Sequence, residues 1–193
     1  SSFSTNNIIF SNSRQSATRS SGKIFQFPQN IKLNIDFTVD SLTHRTFNAE
    51  NIRGKLIYKP GLATFKPLTI KSMSGIISGN CFIAQNSGNS FITKGDFNIR
   101  EVDINDAFKK MNNFGQDFIK AENLAGTISG TLSFLMPLDS LFRPEVKSLT
   151  AEGHFSLLNG VLNNFDPVKR LSTYIDISEL ENINFDRLEN DFF

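Results

Sequence analysis

Ile31-Lys32-Leu33-Asn34-Ile35-Asp36-Phe37-Thr38-Val39-Asp40 puts an apolar side chain at every odd position and a polar one at every even position. Successive side chains of a pleated strand point to opposite faces, so this period of two describes a β-strand with one dry and one wet side. Wound into a helix, the same apolar residues would be scattered around all sides of the axis. Half-wet alternation belongs to antiparallel sheets, because parallel sheets are covered on both faces.

The pattern recurs along the chain. Ile52, Gly54, Leu56 and Tyr58 alternate with Arg53, Lys55 and Lys59, broken only by Ile57, and Pro60-Gly61 then marks a turn. Met73, Gly75, Ile77, Gly79, Cys81 and Ile83 share one face of the next run, and residues 86–89 read as a hairpin turn. Gly95, Phe97 and Ile99 share a face before the apolar parity slips to Val102 and Ile104, which predicts a bulge at Arg100-Glu101. Residues 127–134 set Ile128, Gly130, Leu132 and Phe134 against Thr127, Ser129, Thr131 and Ser133. Leu149, Ala151, Gly153, Phe155 and Leu157 form one more apolar face, after which Asn159-Gly160 is expected to turn the chain. The fold class that follows is mainly β with minor α, a curved antiparallel sheet forming a groove.

Two segments read as helix. Residues 105–120 gather Phe108, Met111, Phe114, Phe118 and Ile119 on one side and Asp106, Lys109, Lys110, Asn113 and Asp117 on the other. Asp166-Pro167 is an N-cap followed by a proline at the first helical position, which predicts a short helix to about Tyr174. Residues 1–22, rich in Ser and Asn with Arg14 and Arg19, read as a polar linker or frayed terminus. Residues 49–54 (Ala-Glu-Asn-Ile-Arg-Gly) recur as residues 121–126 (Ala-Glu-Asn-Leu-Ala-Gly), each expected to open a strand of the same parity.

Composition narrows the functional classes. The 193 residues carry 20 basic and 19 acidic side chains, and that balance lacks the basic excess of a nucleic-acid binder. The charges are unevenly spread: residues 1–100 hold 12 Lys/Arg against 4 Asp/Glu, and residues 101–193 hold 8 against 15. Such a split fits two mutually attracting halves, a gradient along an elongated body, or scattered surface charge. A lone cysteine, Cys81, excludes an internal disulfide framework and a multi-thiolate zinc site, and it sits on an apolar strand face as a small hydrophobe. His44 and His154 have no carboxylate or second histidine at ligand spacing, and Asp186 with Glu189 read as solvated acids in an extended segment. Gly75 and Gly79 lack the Lys-Ser/Thr of a phosphate loop. The chain is therefore expected not to be an enzyme and to need no metal or cofactor. No apolar run approaches the ~18 residues of a membrane span, and the termini read as those of a piece cut from a longer protein.

What remains to be explained is 20 Phe with 2 Tyr and no Trp. Phenylalanine supplies large apolar surface with no polar tip to satisfy. On the apolar face it is interspersed with Gly54, Gly75, Gly79, Gly95, Gly130 and Gly153, and interior strand glycines mark sheet curvature or close backbone approach. Two readings follow: a sheet that coils around its own helix, or a curved trough lined by Phe, Ile, Leu and Val.

Residues 149–162 (Leu-Thr-Ala-Glu-Gly-His-Phe-Ser-Leu-Leu-Asn-Gly-Val-Leu), then Phe165-Asp166-Pro167 and the stretch 180–188, resemble the C-terminal region of the AsmA family. Val102-Asp103-Ile104 and residues 124–130 are similar to the same region, and the resemblance spans about residues 50–193 on degenerate β patterns. It implies that residues 23–193 are a β-groove segment, a taco-like half barrel with one or two amphipathic helices. It further implies a periplasmic location, in a parent protein anchored in the inner membrane of a Gram-negative bacterium by a part absent here. Bridge-like lipid-transfer relatives such as TamB imply a role in phospholipid transport to the outer membrane or in its assembly. The implied partners are a phospholipid or other acyl lipid and other envelope proteins, and the family has no catalytic residues to carry over.

The residues expected to line such a groove are Ile35, Phe37, Leu56, Ile77, Phe97, Ile128, Leu132, Phe134, Phe155 and Leu157, with Phe108, Met111 and Phe118 packing a helix onto it. Holding would be passive, with acyl chains shielded at ~0.8 kcal/mol per buried methylene and headgroups left at the wet rim. The competing expectation is a structural or protein-interaction β module whose trough is filled by its own helix.

Overall fold

The computed structural model describes residues 2–5, 8–9, 26–86, 89–115, 117–165 and 182–192. These build one sheet. Its strands are β1 (Ser2–Thr5), β2 (Ile8–Ile9), β3 (Leu33–His44), β4 (Phe47–Lys59), β5 (Leu62–Ser72), β6 (Gly75–Gln85), β7 (Phe91–Asp103), β8 (Leu124–Leu138), β9 (Thr150–Asn163) and β10 (Asn182–Phe192). From β3 to β10 each strand pairs antiparallel with the next, giving an eight-stranded meander that does not close into a barrel. The fold is thus mainly β and antiparallel, as the alternation requires, with one α-helix among the described residues, α1 (Ile104–Lys110), between β7 and β8.

Several local expectations are met by the register. Pro60-Gly61 turns β4 into β5, and the β7–β8 ladder slips between Ile99 and Val102 with Glu101 at φ +53, the bulge expected there. The Glu101 N–H, displaced from the ladder, donates instead to Ser129 Oγ at 2.9 Å.

Others are corrected. Part of the 1–22 segment is strand: β1 and β2 run parallel to the outer edge of β3 and engage the peptide groups that an edge strand leaves unpaired. Asn159-Gly160 does not turn the chain; β9 continues to Asn163. Asn159, at φ +49, instead makes a bulge at which β9 advances three residues while β8 advances two. The helix expected over 105–120 stops after seven residues. Asn112, Asn113 and Phe114 take φ of +51, +50 and +54 before Gly115 at +72, and a left-handed run cannot continue a right-handed helix. The repeated hexapeptides are not equivalent either. The first lies inside β4, whereas the second forms a 3-10 turn, Ala121–Asn123, that leads into β8. They share buried Ala49 and Ala121, buried Ile52 and Leu124, and a nearby register shift. The helix expected after Asp166 lies outside the described residues.

One strand is not announced by alternation. In β5, Lys66-Pro67 interrupts the pattern, and both neighbouring ladders slip around it. A proline has no N–H to give a ladder, so a bulge is where a central strand can carry one.

The apolar residues of successive strands fall on a single face. In register, Ile35 opposes Leu56, Leu56 opposes Phe65, Phe65 opposes Cys81, Cys81 opposes Gly95, Gly95 opposes Phe134, and Phe134 opposes Ala151. Three buried clusters sit on this sheet. At one end Phe27, Tyr58, Ala63, Phe91 and Leu138 pack together; Phe27 comes from the segment before β3 and meets the Tyr58 and Phe91 rings edge-on at 5.5 and 5.2 Å. In the middle, Ala49, Ile52 and Leu68 are surrounded by Phe37, Phe65, Ile70, Cys81 and Phe97. At the other end Ala107 of α1 closes over Met73 and Val102. The helix is held there by an Asp103 cap on the Asp106 N–H at 2.7 Å and by the Lys110–Asp106 ion pair at 2.8 Å.

Candidate functional site

The phenylalanine excess has a specific structural use. Six cross-strand pairs match a glycine with a phenylalanine: Phe37 with Gly54, Phe97 with Gly79, Phe134 with Gly95, Phe155 with Gly130, Phe192 with Gly153 and Phe185 with Gly160. In five of them the ring lies over the glycine. A Cβ built on Gly54 would stand 3.0 Å from Phe37 Cζ, one on Gly79 2.9 Å from Phe97 Cδ1, one on Gly95 2.7 Å from Phe134 Cε1, and one on Gly153 2.8 Å from Phe192 Cζ. On Gly160 it would run into the Phe185 ring. At Gly95 and Gly160 the glycine gives the ring room to lie down, at Gly54, Gly79 and Gly153 a Cβ would meet a backbone oxygen of the neighbouring strand before the ring, and in all five the ring covers backbone that a glycine leaves bare. A sheet paved in this way has a low, smooth apolar floor, on which Phe97 and Phe134 stack at 6.1 Å and 8°.

Over β7 to β10 this floor is the wall of a half-open cavity of about 480 Å³. Ile128, Leu132, Phe134 and Phe155 line it together with Ile99, Met136, Ala151 and Phe192. Along β8 the lining runs from Ile128 to Met136, about 26 Å at ~3.3 Å per residue. Leu149, just before β9, and Phe114, just after α1, add walls from outside the sheet.

Four of the ten residues expected to line a groove therefore surround this cavity. The other six lie elsewhere in the packing. Phe37 and Phe97 belong to the middle cluster, Leu56 packs on the Phe27 end, and Ile77 packs at the α1 end. Ile35 opposes Leu56 on β3, and Leu157 is buried at 3% exposure. The open trough is narrower than the apolar face because most of that face is already covered.

The residues assigned to helix packing need a larger correction. With the helix ending at Lys110, Phe108, Met111 and Phe118 no longer form one stripe. Phe108 is half-buried against Phe114, ring centroids 5.0 Å apart, Met111 is exposed, and Phe118 is 70% exposed with its ring against Phe165 at 5.1 Å. None of the three lines the cavity, and Ala107 makes the buried helix contact. Phe114 is the aromatic that reaches the site. The signal for it was present in the sequence: two asparagines before it and a glycine after it are turn chemistry rather than helix interior.

Polar chemistry at the site is sparse. The only titratable side chain among the lining residues described is His154, whose Nδ1 lies 2.9 Å from Asp191 Oδ1 across the β9–β10 ladder. The topology supplies the carboxylate that sequence spacing did not. Both groups are exposed, so the pair is a weak surface tie. Cys81 stands in the packed part of the face, where burial raises its thiol pKa and keeps it neutral. Among the described residues no group of three or more His, Cys, Asp or Glu is placed to hold a metal ion, and no helix is long and apolar enough to cross a membrane.

No family model, no curated protein and no solved structure matches the chain.

Proposed function

We propose that this chain is an AsmA-like envelope segment that holds lipid acyl chains against its apolar β-sheet face, in support of phospholipid transport to the outer membrane or its assembly. The observation that carries the reading is the half-open cavity of about 480 Å³, walled almost entirely by apolar side chains of β7 to β10. Apart from the exposed His154–Asp191 pair at its edge, such a surface offers an occupant little hydrogen bonding, so it selects for hydrocarbon. Each methylene withdrawn from water contributes ~0.8 kcal/mol, and ordering the chain offsets part of that gain. The open side leaves a headgroup in solvent. The role is non-enzymatic and passive, in a periplasmic part of a protein anchored in the inner membrane of a Gram-negative cell. Any direction of flow comes from other envelope proteins.

Mass spectrometry of organic extracts from the purified chain tests this directly, with acyl lipid at near-stoichiometric amounts as the expected result. Leu132→Lys is the paired control: it places an ammonium in the cavity wall, and the extract should then be empty although the circular dichroism is unchanged. An empty extract from the wild-type chain, and no uptake from phosphatidylethanolamine vesicles, would sink the reading. A structural β module is favoured in that event by the two ends of the sheet, where Phe27 and Ala107 already fill the face from within the chain.

A further inference from the structure

We infer that Phe114 is the end-stop of the cavity and sets the length of the acyl chain it retains; this rests on the acyl-holding reading above. The apolar lining along β8, from Ile128 to Met136, runs about 26 Å at ~3.3 Å per residue, a track for one extended acyl chain.

The lining from Ile99, Ile128 and the strands beside them is carried on the sheet, where backbone pairing fixes it. Phe114 is different. It is held by a short turn at the α1 end, with φ +54, a conformation that costs an aromatic residue energy and persists only where its surroundings impose it. Those surroundings are visible. The Phe114 N–H donates to Met111 O at 3.0 Å, the Phe108 ring meets the Phe114 ring edge-on at 5.0 Å, and Asn113 Oδ1 accepts the Ala121 N–H at 3.0 Å. The turn is thus tied both to α1 and to the lead-in of β8. It places a ring that is 59% exposed at the Ile128 end of the trough, with one part facing solvent and another facing the cavity. A side chain so placed adds little to the core. Its position makes it a wall across the path of a chain lying along β8.

The test is competitive loading. The full chain is incubated with an equimolar mixture of saturated fatty acids from laurate to arachidate, repurified, and its bound acids are read by mass spectrometry. The wild-type chain should retain a narrow band of chain lengths with one maximum. Phe114→Ala removes the ring and should move the retained maximum up by about two to four carbons, the room that part of a phenyl group occupies. Phe114→Trp should move it down, and Phe114→Leu should fall between. Unchanged profiles in a loaded wild type and a loaded Phe114→Ala overturn the end-stop while leaving acyl holding intact. A wild type that binds none of the acids overturns the acyl reading, and the end-stop with it.

Discussion

The two sides of the sheet carry the same surface pattern and put it to different ends. Across β3 to β7 the apolar face is packed: Phe37, Phe65 and Phe97 close around Ile52 and Leu68, Phe27 seals one end, and α1 begins to seal the other. Across β8 to β10 the face has the same glycine–phenylalanine pairs, yet Leu132, Phe134, Phe155 and Phe192 stand around a cavity that, among the described residues, only Phe114 and Leu149 approach from outside the sheet. The strands are equally amphipathic. What differs is whether another of the described segments crosses over them. An apolar strand face is therefore an unfilled valence, and function is available only where the chain does not satisfy it internally.

That contrast can be broken most directly with the same charge on each side. Leu68→Lys should cost more than ~4 kcal/mol or abolish folding, because the ammonium has neither water nor a partner in the middle cluster. Leu132→Lys should cost about 1 kcal/mol or less, since its stem can lie on the floor while its head reaches the open side. Urea denaturation of both variants reads the difference, and equal losses would mean that the β8–β10 face is as closed as the other. A smaller effect is expected at the seam. The three atoms nearest a Cβ on Gly95 all belong to the Phe97 and Phe134 rings, at 2.5, 2.7 and 3.0 Å. Gly95→Ala should then destabilise by about 1–2 kcal/mol and lift the Phe97–Phe134 stack, visible as shifted aromatic resonances. A neutral Gly95→Ala would show that ring-over-glycine paving is dispensable.

Two pH effects sharpen the picture of the sheet's ends. Tyr58 donates its hydroxyl to Pro28 O at 2.6 Å in the packed end, and burial raises its pKa above the ordinary 10.0. A raised folded-state pKa favours the protonated phenol in the fold. Its contribution is therefore complete below about pH 10 and is lost as pH climbs through the raised value. Tyr58→Phe should cost about 1 kcal/mol at neutral pH, with the deficit shrinking in alkaline melts; a deficit constant with pH would contradict this. At the loop after β8, Asp139 is held below its ordinary 3.8 by the Arg143 backbone N–H, the Arg143 guanidinium and the Leu141 N–H. Here the sign is opposite: the contribution is present above the unfolded value and lost as pH falls through the lowered one. Asp139→Asn should give the smallest change, a modest loss of amide protection in residues 139–149 at neutral pH that vanishes in acid. Protection that stayed lower in acid would assign the effect to packing.

Much of the molecule was legible in strand parity. Residues 31–40, 127–134 and 149–157 announced strands whose apolar faces the register then aligned, and the slipped parity at Arg100-Glu101 announced its bulge. The misreadings have common causes. Asn159-Gly160 carries turn chemistry, but the same left-handed tolerance serves a bulge when a neighbouring strand continues to pair on either side. Residues 111–115 carry helical spacing of apolar side chains, but Asn112, Asn113 and Gly115 outweigh it locally. Pro67 hid β5 because propensity cannot see that ladders on both sides will bend to admit it. The candidate site was half legible for the same reason: Ile128, Leu132, Phe134 and Phe155 were readable as lining, whereas Phe114 needed the helix to end where it does.

By itself the sequence determined that the chain forms antiparallel strands with one apolar face and that phenylalanine and glycine share that face, because alternation is local and every strand states its own parity. Only the tertiary structure decided that five phenylalanine rings lie over glycines of a neighbouring strand, that Phe27 and Ala107 close the two ends, and that among the described residues the face over β8 to β10 stays open. Those outcomes depend on register and on contacts between residues far apart in the chain, and no local pattern encodes which distant side chain will arrive to cover a given face.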